Sequence, residues 1–305
     1  MIKTSSLVLF PLLIVELRSE FSYDFYNFIA KHHGEKYADY LELSELRGIG
    51  SFGGFQSHNF TVNHKPIIFV HGAQSYVNMF WNRTEFLRNH NYSSSELYAT
   101  SYDDKYNVSC KNIKRIRSFI EIVSAYTRSA VDIFASSMGV PIARKAILGG
   151  RCVDTNEQLG KRLTSLVDTF VSSDGVGYGV EDCEAIARNF NDSRFMAFCD
   201  LQIGLQPKSA VMLELNNQSE RYEGSRLFSI HSDNDEVIGQ RCDLNNCSEI
   251  KNATMTFTKS TPAHVWLSFT EMELPFFLFT SNSTAEIIEV AKSQGFNVHT
   301  NTREA

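Results

Sequence analysis

The sequence predicts an α/β fold, a mostly parallel central sheet with helices on both faces. Three observations predict it. From residue 65 onward, short apolar runs alternate with amphipathic stretches, the pattern of strand-helix-strand units. One of these runs passes through a serine set between small residues and straight into a helix. A serine, a carboxylate and a histidine then follow one another in chain order at the ends of separate runs. At 305 residues, 43% hydrophobic and 12% aromatic, the chain can bury a full core around such a sheet. It reads as one domain over residues 20–305.

Residues 1–19 read as an export signal. Lys3 gives a positive start, positions 7–15 are apolar but too short to cross a bilayer, which takes about 20 residues, and Ser19 is a small residue where cleavage is expected. Two features downstream agree. Cys110, Cys152, Cys183, Cys199, Cys242 and Cys247 make an even number, able to pair fully in an oxidising compartment. Cys242 and Cys247 are close enough for a local loop bridge, and no C-x2-C spacing supports zinc. N-x-S/T acceptors begin at Asn59, Asn82, Asn91, Asn107, Asn191, Asn217, Asn246, Asn252 and Asn282, where chance gives roughly three. A secreted, extracellular protein is expected.

Residues 20–47 carry Phe21, Phe25, Phe28, Tyr37, Leu41 and Leu43 among charges, with a break at Gly34, which predicts a helical N-terminal appendage. Gly48, Gly50 and Gly53 match G-x-G-x-x-G, but a dinucleotide site needs a strand before it and a helix after it, and a charged helix precedes a loop here. Strands are predicted at 66–70, 96–101, 131–134, 166–172, 227–231 and 254–258. Helices are predicted at 79–89, 110–127 and 140–148, the last closed by Gly149 and Gly150. The formal charge of −6 has no basic stripe, which argues against a nucleic-acid partner, and no transmembrane segment is predicted.

The stretch from Val131 to Val140 runs from a buried strand through Ala135-Ser136-Ser137-Met138-Gly139 into a helix. This is the nucleophile elbow of the α/β-hydrolase fold, G-x-S-x-G with Ala135 in the first glycine position, and it nominates Ser137. Small residues are needed because bulk two positions either side of the serine would strike the neighbouring strand and helix. Val70-His71-Gly72-Ala73 ends an earlier strand where this fold places an oxyanion loop, so the amides of Ala73 and Met138 are the candidate oxyanion donors, with His71 a packing residue. The acid should follow another strand, and Asp233, Asp235 and Glu236 crowd the loop after 227–231. Asp235 is preferred, two residues before the apolar pair Val237-Ile238 where the chain re-enters the core. The base should come last, and of nine histidines His264 alone follows both serine and acid at the end of a strand, while His299 lies in the polar tail.

With these residues placed, the chain resembles the class 2 triacylglycerol lipases. The resemblance runs from about Gly50 to His264, through Gly50-Ser51-Phe52-Gly53-Gly54, Pro66-Ile67-Ile68-Phe69-Val70-His71-Gly72, Glu96-Leu97-Tyr98-Ala99-Thr100-Ser101, Ser137-Met138-Gly139 with Ala143-Arg144-Lys145, and Leu163-Thr164-Ser165-Leu166-Val167-Asp168-Thr169-Phe170. It implies a Ser137, Asp235 and His264 triad, an acylglycerol or other lipid ester as substrate, contact with a lipid interface, and no cofactor. Two positions depart from the family pattern. Ser136 stands where His is usual, and the usual A-G-A-N-x-G after Phe170 is replaced by a loop that brings in Asp174.

The expected activity is therefore a triacylglycerol lipase working through an acyl-enzyme intermediate. A carboxylesterase or thioesterase on soluble esters would use the same residues, and a catalytically silent lipid-binding protein could keep the fold. Apolar residues flank the base at Val265, Trp266, Leu267 and Phe269 and again at 274–279, where a run of core or a rim for lipid is expected.

Overall fold

The computed structural model describes residues 20–55, 62–103, 105–260, 264 and 266–300. The predicted export signal, the acceptor at Asn59, and Val265 beside His264 lie outside the described residues. In chain order the elements are α1 (Tyr23–His33), α2 (Glu35–Glu42), β1 (Ser51–Phe52), β2 (Ile67–Val70), α3 (Trp81–Asn89), β3 (Leu97–Thr100), α4 (Cys110–Thr127), β4 (Val131–Ser136) and α5 (Gly139–Leu148). There follow β5 (Gly150–Arg151), β6 (Gln158–Gly160), β7 (Val167–Ser173), α6 (Cys183–Asn189), α7 (Ala210–Asn216), β8 (Arg226–Ser232), β9 (Met255–Lys259), α8 (Trp266–Thr270), α9 (Glu273–Thr280), α10 (Thr284–Ser293) and β10 (Asn297–Thr300).

Eight strands form one sheet in the order β1-β3-β2-β4-β7-β8-β9-β10. The inner pairings are parallel, and β1 and β10 close the two edges antiparallel. Strands β2, β3 and β4 are buried along their whole length, which is why they read as apolar runs rather than alternating ones. Their side chains still alternate between two cores. Ile68, Val70, Ile133 and Ala135 pack on the face covered by α1, α2, α4, α5 and α7. Ile67, Phe69 and Phe134 pack on the face covered by α3, α9 and α10.

Helix α4 spans the predicted 110–127. Ser109 caps its start by accepting the N–H of Asn112, and Arg128 ends it in the left-handed region at φ 55°. The segment 20–47 is helical with its break at Gly34, where φ is 91°. It is built into the core, with Phe25, Ile29, Ala38 and Leu41 fully buried and Phe25 edge-on to Tyr98 and Phe119. Helical spacing shows that a face is apolar but not what it packs against.

Strand β9 is not the last of the chain. Three helices and β10 follow it, and β10 pairs antiparallel with β9, so His299 sits in an edge strand rather than in a polar tail. Mostly exposed, β10 has no apolar alternation to announce it. Disulfides join Cys110 to Cys152, Cys183 to Cys199, and Cys242 to Cys247, the last being the local bridge expected from spacing. Among the described residues no helix is long and apolar enough to cross a membrane.

Candidate active site

Ser137 sits between β4 and α5 with φ 52°, a conformation that costs a non-glycine residue energy and persists only where its surroundings fix it. Its N–H donates to Ser173 O at 3.3 Å, and its carbonyl accepts the N–H groups of Val140 at 3.1 Å and Val176 at 3.2 Å. Space explains the small neighbours. A Cβ on Gly139 would lie 2.4 Å from His71 O, and one on Gly72 would lie 2.8 Å from Ser137 Cβ, so the loop after β2 is pressed against the serine. Ala135 is fully buried, in register with Val70 on one side and Ser172 on the other.

That loop is set by His71. The Tyr102 N–H donates to its Nε2 at 3.2 Å, which leaves the proton on Nδ1 to donate to Gly72 O at 2.8 Å, and the ring stacks on Tyr102 at 3.8 Å. Burial pushes its pKa down to about 3, so the ring is neutral and structural. Ala73 and Met138 lie at the two segments flanking Ser137, and among the described residues neither backbone N–H is paired. The next side chain, Gln74, donates to Tyr106 Oη at 2.7 Å and to Asp192 Oδ2 at 3.1 Å. Asp192 belongs to the excursion through α6 that the Cys183–Cys199 disulfide closes.

Asp235 and His264, predicted at the ends of different strands, come together with Ser137. His264 Nδ1 lies 2.8 Å from Asp235 Oδ2, and its Nε2 lies 2.9 Å from Ser137 Oγ. The other oxygen of Asp235 accepts the N–H groups of Val237 at 2.9 Å and Ile238 at 2.8 Å, the pair where the chain re-enters the core. Burial works against the charge on Asp235, but the His264 hydrogen bond and charge and these two amides outweigh it and hold its pKa below the usual value. Burial likewise opposes charge on His264, and the hydrogen bond and charge of Asp235, with the charges of Asp174 and Glu236, raise its pKa above 6.5.

The neighbouring carboxylates take other parts. Glu236 accepts the backbone N–H of His264 at 2.8 and 3.0 Å, so adjacent acids hold one histidine by its ring and by its main chain. By sequence alone Glu236 is a rival acid, because a bond to a backbone amide leaves no spacing signal. Asp174 is fully buried at the end of β7, its pKa pushed up to about 7 by burial, with His264 pulling it down and Asp235 pushing it up. Its partner Ser268 has no sequence signal, since an isolated serine in an apolar stretch carries no motif. Of the apolar residues after His264, Trp266 and Phe269 are 49% and 42% exposed, whereas Leu267, Leu274, Leu278 and Phe279 are core. The run at 274–279 is thus chiefly packing for β7 and α10.

Residues 64–268 match the family described as Lipase (class 2). Among solved structures the chain is similar to the Bacillus licheniformis lipase BlEst2. The mature form is 11% identical with a TM-score of 0.53, covering 75% of this chain and 96% of that one. The propeptide form is 10% identical with a TM-score of 0.53, covering 76% of this chain and 54% of that one. Aspergillus fumigatus lipase B is 12% identical with a TM-score of 0.47, covering 78% and 51%. At such identities the likeness to BlEst2 is one of fold, the α/β-hydrolase fold. No curated protein matches the chain.

Proposed function

The chain belongs to the class 2 lipase family and is a lipase-like carboxylic ester hydrolase, and from that premise we propose that Ser137, His264 and Asp235 are its catalytic triad. The observation that carries this reading is the unbroken line of hydrogen-bonding contacts, 2.8 Å from Asp235 to His264 and 2.9 Å from His264 to Ser137. Ser137 Oγ attacks the ester carbonyl as His264 Nε2 takes its proton, and the amides of Ala73 and Met138 hold the oxyanion. His264 returns the proton to the leaving alcohol, giving an acyl-enzyme. Water, deprotonated by the same imidazole, then releases the acid and frees Ser137. Asp235 stays ionised throughout and holds the proton on Nδ1.

The substrate we propose is a water-insoluble acylglycerol, and the protein is proposed to be secreted. Exposed Trp266 and Phe269, on the helix next to His264, favour contact with a lipid surface. Three disulfides and nine acceptor sequons favour an extracellular site of action. The test is hydrolysis of emulsified long-chain triacylglycerol against a dissolved short-chain ester, with wild type and Ser137→Ala, alongside labelling by a serine-reactive phosphonate. Ser137→Ala should lose about 10^4-fold or more in turnover and all labelling. A variant keeping a tenth of the activity would refute the nucleophile, and a rate confined to the dissolved ester would make the enzyme a carboxylesterase.

A further inference from the structure

Helix α8 starts immediately beyond the base, so whatever anchors it also limits where the His264 ring can stand. Its anchor is Ser268, 2% exposed. The Ser268 N–H donates to Asp174 Oδ2 at 3.1 Å. Its hydroxyl lies 2.8 Å from Ser136 Oγ and 2.9 Å from Ser173 Oγ, the last residues of β4 and β7. From the other side Arg83 of α3, buried over the Phe134 ring, donates to Ser268 O at 2.9 Å and Glu271 O at 2.8 Å. Ser136 and Asp174, the two departures from the family pattern, therefore meet at one serine.

None of these bonds is required by the transfer of a proton from Ser137 to His264. We propose that Asp174 is a positioning residue which, through Ser268, ties the strand ends beside the nucleophile to the helix beyond the base and so fixes the His264 ring against Ser137. The proposal rests on the triad assignment above. Charged or titratable groups facing Asp174 are His264, Asp235 and Arg83. Its second oxygen has no hydrogen-bond partner among the described residues. With burial raising its pKa to about 7, a neutral amide is a fair substitute for its protonated form.

Displacement of a catalytic group by about 1 Å costs on the order of 100-fold in rate. Asp174→Ala, which leaves the Ser268 N–H without an acceptor, should lower kcat by about 10- to 100-fold at little change in KM. Asp174→Asn keeps an acceptor and should recover most of that loss. Combined with Ser136→Ala, the loss should be less than the product of the two single losses, because both act through Ser268. Full kcat in Asp174→Ala, equal losses in the Asn and Ala variants, or independent effects of Ser136 and Asp174 would each overturn the proposal. If Asp174→Ala does not fold, Ser268→Ala tests the other arm of the same tie, the hydroxyl that reaches Ser136 and Ser173, with the N–H to Asp174 kept: a several-fold loss of kcat is expected, and an unchanged kcat overturns the proposal. Phosphonate labelling separates the two readings. A wild-type chain that does not label at Ser137 removes the triad and this proposal with it, whereas labelling at the wild-type rate in every variant removes this proposal alone.

Discussion

One oxygen of Asp235 faces the His264 ring and the other is held by two backbone amides, so the carboxylate cannot rotate to share its tasks. Asp235→Asn should lower turnover by about 10^4-fold, since an amide nitrogen opposite Nδ1 favours the wrong tautomer. Asp233→Asn should cost little, and Glu236→Gln should cost little because its amide oxygen still accepts the His264 N–H. A larger loss at Asp233 would move the acid there. The pH profile carries a sign of its own. With His264 as the proposed base, whose pKa is raised and which must be neutral to take a proton, kcat/KM should climb with pH through an apparent pKa above 6.5. In Asp235→Asn the anion that favours imidazolium is gone while burial remains, so the residual activity should titrate at lower pH. An unchanged midpoint would show that Asp235 does not set it. The proposed triad of Ser137, Asp235 and His264, which the structure brings into contact, could be picked out because each follows a strand, where the local pattern changes period. Glu236, Ser268 and Gln74 could not, because each acts through a backbone atom or a distant side chain.

Helix α5 carries the elbow, and its outer side is tied down by a buried ion pair. Arg144 Nε donates to Glu223 Oε1 at 2.9 Å, and the same guanidinium reaches Gly177 O at 3.0 Å and Leu215 O at 3.2 Å. Glu223→Gln should destabilise the fold by about 3–5 kcal/mol, measured by urea denaturation, since it leaves a buried cation unpaired. Replacing both residues with Met should cost less than the single change, and a larger cost would mean that the carbonyl contacts of Arg144 dominate. The elements legible from sequence were those with a clear local signature, the helical period of α4 and the short apolar runs of the parallel strands β2, β4, β7 and β8. Helix α9 was not, because Glu273-Leu274-Pro275-Phe276-Phe277-Leu278-Phe279-Thr280 is apolar almost all round and shows no face. Edge strand β1 has only two residues, β10 is mostly exposed, and the hairpin of β5 and β6 lies outside the main sheet, so none of them shows the continuous apolar run of the centre.

Across the whole molecule the three disulfides differ in reach and in shelter. They join residues 42, 16 and 5 apart, for which loop closure gives about 4, 3 and 2 kcal/mol of constraint on the unfolded chain. Cys110–Cys152, the widest, and Cys242–Cys247, the tightest, are buried, while Cys183 and Cys199 are partly exposed. A thiol in solution therefore meets the α6 excursion first, and that excursion holds Gln74 through Asp192, next to the amide of Ala73. The order of failure follows. As reductant is raised, ester hydrolysis should decline while near-ultraviolet circular dichroism and melting temperature hold, and unfolding should come only at the concentrations that open the sheltered bridges. Coincident loss of rate and fold would break that order. Otherwise a change in redox surroundings silences the enzyme while its shape is intact, and re-oxidation of one accessible bridge is enough to restart it.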